Sequence, residues 1–146
     1  MKKLLLLALL PSLSFASANE LVLVSSPVKG ATVVSLDFVN TGNAAAIHFE
    51  MDVGVSDASK VDLSACLSTV ARSNGRMASC ALVGSKVIVM VVSPSLKAFD
   101  AGPVSLGSIT INSASNLGEA MWETYDSKGD VVESKVTKAT SSMASK

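Results

Sequence analysis

The stretch Ala45-Ala46-Ile47-His48-Phe49-Glu50-Met51-Asp52-Val53 decides the fold class. Ala45, Ile47, Phe49, Met51 and Val53 recur at every second position, and His48, Glu50 and Asp52 fill the gaps. A period of two puts successive side chains on opposite faces of a strand, so one face meets an apolar core and the other meets water. That is the pattern of an antiparallel sheet with one solvated side.

Working outward, the same period governs both flanks. Leu21 to Val24 is a short apolar run closed by Ser26-Pro27 and Lys29-Gly30, and Ala31 to Val39 alternates before the turn cluster Asn40-Thr41-Gly42-Asn43. Ser79–Val83 and Lys86–Ser93 flank Gly84-Ser85 and read as a two-residue hairpin. Val87 to Val92 is apolar on both faces, so either Val87, Val89 and Val91 or Ile88, Met90 and Val92 point outward. Between Leu106 and Ile109 the apolar parity slips, which predicts a bulge at Gly107-Ser108. Glu119–Tyr125 and Val131–Thr137 read as a hairpin across Asp126-Ser127-Lys128-Gly129-Asp130. Residues 57–77 fit a short strand, a helical turn or a loop; a strand from Lys60 followed by a loop through Arg72–Arg76 is favoured. Ala139 to Lys146 reads as a polar tail. The sum is an all-β, antiparallel sandwich of about nine short strands over residues 19–138.

Composition narrows the partners. The 146 residues are 49% hydrophobic, with twelve Lys plus Arg against twelve Asp plus Glu, so no basic surplus exists for a phosphate backbone and nucleic acid is excluded as an expected partner. Residues 1–18 read as a secretory signal: Met1-Lys2-Lys3 is basic, Leu4 to Leu10 is apolar, Pro11 breaks the run, and Ala16-Ser17-Ala18 suits signal peptidase. Cleavage between Ala18 and Asn19 leaves an exported, non-spanning chain, periplasmic or extracellular. In such a compartment Cys66 and Cys80 read as a disulfide, because thirteen intervening residues are too many for a redox C-x-x-C pair and only one His is present to help hold a metal.

Enzymatic readings fail on missing parts. His48 is the sole histidine and has no G-x-S-x-G elbow to serve. Glu50 and Asp52 share a strand face and form the one carboxylate pair open to acid–base work, yet a solvated strand face explains them as well. The Asp126–Asp130 loop lacks the calcium-loop order and carries Lys128 where ligands would converge. No metal, cofactor or catalytic residue is therefore expected. For sugar binding, Trp122 is the candidate contact, with core packing as its other reading; Tyr125, three residues on, falls on the opposite strand face.

Taken together, residues 31–137 resemble a cohesin domain. The resemblance rests on Val33–Phe38, the run Ala44–Val53, Gly84-Ser85-Lys86-Val87 opening an apolar strand, Gly102–Ile111, and the closing turn Asp126–Val131. It implies a nine-stranded jelly roll related to carbohydrate-binding modules, with a partner face on the sheet holding the third and sixth strands. It also implies a secreted, non-enzymatic module that attaches a dockerin-type protein in a surface or polysaccharide-degrading assembly. Direct recognition of a polysaccharide is the alternative. The pair Cys66 and Cys80 lies outside the usual cohesin pattern. The expected partner face comprises His48, Glu50 and Asp52 with Val89 or Met90, whichever is exposed.

Overall fold

The computed structural model describes residues 18–113 and 116–141, so the signal reading of residues 1–18, all but Ala18, lies outside the described residues. Among the described residues, ten strands build two sheets: β1 Asn19–Val28, β2 Ala31–Asn40, β3 Ala46–Asp52, β4 Val61–Asp62, β5 Met77–Val83, β6 Lys86–Val92, β7 Gly102–Ile111, β8 Ala120–Tyr125, β9 Val131–Val132 and β10 Ser134–Thr140. One sheet runs β10-β1-β2-β7-β4 and the other β5-β6-β3-β8-β9. The two alternating faces close on a core of Leu21, Leu23, Val34, Leu36 and Phe38 from the first sheet and Ile47, Phe49, Met51, Val87, Val89 and Val91 from the second. Each of these side chains contributes about 1.5–3 kcal/mol by leaving water. Phe38 sits at the centre of an aromatic group, edge-on to Phe99 at 5.3 Å and to Trp122 at 5.5 Å.

Turn chemistry sets the registers. Val83 pairs with Lys86, which leaves Gly84-Ser85 as the two-residue loop, and Gly84 takes the positive φ of 63° that its first position requires. The bulge in β7 falls at Leu106–Gly107, one residue earlier than expected: Leu36 faces Gly107 while Asp37 faces Ser105. The region 57–77 uses all three of its readings in turn. A 3-10 turn at Ala58–Lys60 leads into the two residues of β4, a loop follows, and one helical turn, α1 (Thr69–Arg72), is capped by Ser68, whose Oγ accepts from the Ala71 N–H at 3.2 Å. Arg76 then lays its guanidinium 3.9 Å over the Phe99 ring and donates to the Val70 carbonyl, tying this segment to the core. Cys66 and Cys80 are joined, with Cα atoms 6.5 Å apart.

The end of the chain departs from the expected hairpin. Of the expected second arm, Val131 and Val132 alone pair with β8; at Glu133 the chain leaves that sheet, and β10 lies parallel to β1 from Ser134 to Thr140. Ala139 and Thr140, expected in a polar tail, instead belong to β10 and pair with Val24 and Ser25. Asn19 makes this crossing possible. Its N–H donates to the Glu133 carbonyl, its amide donates to Asn43 and Thr124, and its Oδ1 accepts from the Thr41 N–H and hydroxyl. The residue is wholly buried and all four of its amide hydrogen-bonding positions are filled.

Candidate functional site

The outer face of the β5-β6-β3-β8-β9 sheet collects the residues singled out for a partner. Alternation in β3 buries Ile47, Phe49 and Met51 and leaves His48, Glu50 and Asp52 outward, half-buried. The neighbour on one side is β6, as expected, with His48 opposite Met90, Glu50 opposite Ile88 and Asp52 opposite Lys86. This register settles the open choice. Met90 is outward and 45% exposed, whereas Val89 is wholly buried between the sheets and is removed from the candidate face. Parity decides it: Val89 lies opposite Phe49, whose ring is in the core.

Strand β8 supplies the other flank, with Glu123 opposite His48 and Met121 opposite Glu50. These two residues were missed from the sequence. Alternation about Trp122 puts them together on one face, but only the pairing of β8 with β3 brings them beside His48 and Glu50. Across the sheet the rows read Ser79, Met90, His48, Glu123 and then Ala81, Ile88, Glu50, Met121. Two exposed methionines thus bracket a charged centre.

That centre is held in place by local pairing. One Glu50 carboxylate oxygen lies 3.4 Å from His48 Nε2 and the other 3.6 Å from Lys86 Nζ. The Tyr125 hydroxyl donates to Glu123 at 2.5 Å, and this bond pushes the phenol above its ordinary pKa. Asp52 accepts from the Gly54 N–H at 2.8 Å; that bond, with help from Ser85 and Lys86, holds its carboxyl below the usual range. A general acid needs the opposite shift, so Asp52 is unsuited to donate a proton near neutral pH. The face thus sets apolar, flexible side chains beside paired charges.

The remaining candidates lie elsewhere. Trp122 points inward, is 7% exposed and packs against Phe38, so it presents no ring face to a sugar; this corrects its reading as a contact. Its pairing with Phe49, a core position, is the reason. In the Asp126–Asp130 loop, Asp126 Oδ1 accepts from the N–H groups of Lys128 and Asp130, and Gly129 takes φ 84°, which is hairpin-turn chemistry. The Ala18–Asn19 bond stands at the start of β1; Cys80 lies between Ser79 and Ala81 in β5 but faces the other side of the sheet, where it is joined to Cys66 over the β7 bulge.

No family model matches the sequence, and no curated protein does. Solved structures do match. A non-cellulosomal cohesin from Archaeoglobus fulgidus aligns over 87% of this chain and 94% of its own at 13% identity and a TM-score of 0.59. The sixth cohesin of Acetivibrio cellulolyticus scaffoldin B, solved with a Cel5 dockerin, aligns over 84% and 97% at 15% identity and a TM-score of 0.60. CaCohA2 from Clostridium acetobutylicum aligns over 88% and 94% at 14% identity, also with a TM-score of 0.60. Ten strands in two sheets, ordered as described, give this chain the cohesin fold.

Proposed function

We propose that this chain is an exported, non-enzymatic docking module that receives a dockerin-type protein on the outer face of the β5-β6-β3-β8-β9 sheet. The observation that carries the reading is the face itself: Met90, Ile88 and Met121 surround Glu50 and His48, with Glu123, Asp52 and Lys86 near the rim. Several of the similar structures are cohesins solved together with dockerins, which supports a protein as the occupant. The acidic side chains outnumber Lys86 on this surface, so the matching partner buries an apolar helix face and sets Lys or Arg around it. The leader-like residues 1–18 and the Cys66–Cys80 bond support export, and the assembly served is a cell-surface or polysaccharide-degrading one.

Calorimetric titration of the purified protein with a panel of dockerin modules tests the reading. Binding is expected for at least one, and Met90→Lys is expected to weaken it by roughly 30-fold or more while leaving the thermal midpoint in place. Absence of binding across the panel overturns the dockerin assignment. Binding that Met90→Lys leaves unchanged moves the docking surface off this face.

A further inference from the structure

The sandwich has four sheet edges, and three of them are blunted. β4 and β9 are two residues long, and β10 carries Lys135 and Lys138. Short strands and lysines are the usual defences of an open edge. β5 has neither. Its seven residues, Met77-Ala78-Ser79-Cys80-Ala81-Leu82-Val83, hold no charge and no proline, and their pairing with β6 runs without a bulge.

Register shows which backbone groups this edge leaves open. The hairpin closes at Val83 and Lys86, so Val83, Ala81, Ser79 and Met77 exchange their bonds with β6. The N–H and C=O groups of Ala78, Cys80 and Leu82 point the other way, and among the described residues none of them has a hydrogen-bond partner. Met77 and Val83, 63% and 59% exposed, stand on the outer face at the two ends of the strand.

We propose that β5 of a second copy completes this edge, antiparallel, about a two-fold axis at Cys80. In that register Cys80 faces Cys80 of the second copy and Ala78 faces Leu82 of the second copy, so three residue pairs exchange about six hydrogen bonds. On the outer face Met77 meets Val83 of the second copy, and Ser79 meets Ala81 of the second copy. A strand meeting its own antiparallel image risks like charges face to face, and β5 has none to oppose. The two-fold consumes the one unprotected edge of each copy, so assembly closes at a dimer instead of growing. The outcome is one continuous sheet of ten strands that carries both docking faces on the same side, independent of what docks there.

Sedimentation of the purified protein across a dilution series tests this. The unaltered protein is expected to be a concentration-dependent dimer. The double change Ser79→Lys with Ala81→Lys, both at exposed outward positions, places like charges opposite each other twice and is expected to weaken the dimer by roughly tenfold. Ser79→Lys with Ala81→Glu makes the same pairs opposite in sign and is expected to restore it. Far-UV circular dichroism and the thermal midpoint confirm that each variant is folded. A monomer at every concentration up to about 100 µM overturns the proposal, and so does a dimer that the lysine pair leaves unchanged, since it then forms elsewhere.

Discussion

The Cys66 backbone lies directly over Gly107. A Cβ built at Gly107 stands 2.2 Å from the Cys66 carbonyl oxygen, and the residue has φ 146°. The approach is fixed on both sides, because Ser68 N–H donates to the Leu106 carbonyl at 2.7 Å and Ser108 N–H donates to the Ala65 carbonyl at 2.8 Å. The β7 bulge is thus the seat on which the stapled loop rests. Gly107→Ala must push that loop away or distort the bulge, and the expected loss is about 3 kcal/mol or more, read from the urea midpoint. A variant as stable as the original would show that the loop is not seated there.

The staple itself is the next test. Cys66 and Cys80 are 14 apart in sequence, and closing a loop of about 15 residues stabilises a fold by about 3 kcal/mol on the chain-entropy account. Cys66→Ser with Cys80→Ser is expected to lower stability by that order. Thiol titration of the native, unreduced protein is expected to find no reactive sulfur. Two free thiols would reject the bond.

The strands were legible because burial on one face writes itself into the sequence. Ile47, Phe49 and Met51 alternate with His48, Glu50 and Asp52, and the structure keeps that division. The Gly84-Ser85 hairpin was legible for a similar reason, since few residues tolerate the φ of Gly84. Long-range pairing was not legible in the alternation itself; the β3–β6 neighbourhood was expected from the resemblance alone. Nothing local tells that Val131–Thr137 breaks at Glu133 and crosses to β1, because both halves keep strand composition and the corner is held by Asn19, more than a hundred residues away, together with the Thr124–Ser134 hydroxyl pair. The same holds for Trp122, whose inward direction follows from standing opposite Phe49. Met121 and Glu123 joined the candidate face through that one pairing. The helical turn at Thr69–Arg72 did have a signal, Ser68 placed to cap Ala71, but four residues are too few to show a period.

Asn19 carries a prediction of its own. Its side chain fills a buried site between β8 and the Thr41–Asn43 turn, and removing it strands the groups it satisfies. Asn19→Ala is expected to cost about 2–3 kcal/mol. N-terminal sequencing of exported protein is expected to begin Asn19-Glu20-Leu21. A start at Met1 would refute the leader.

Acid should loosen the segment that leads into the staple. Asp57 accepts from the Ser59 hydroxyl at 2.7 Å and the Ser59 N–H at 3.0 Å, and Asp62 accepts from the Ser64 N–H at 2.9 Å with a further contribution from the Ser64 hydroxyl. In each case the serine hydroxyl is the larger cause, the backbone N–H the next, and the carboxyl is held below its ordinary value of 3.8. A lowered native pKa means that the unfolded chain binds more protons near that value, so stability rises with pH there. The contribution is complete above about pH 5 and is lost as pH falls through the native pKa values. Both groups are solvent-exposed, so the effect is modest. Urea midpoints measured from about pH 6 downward are expected to fall below pH 4 in the unaltered protein. Asp57→Asn with Asp62→Asn should start lower and fall less steeply, because the amides cannot titrate, and the two curves should converge in acid. Parallel curves throughout would place the acid sensitivity on other carboxyls.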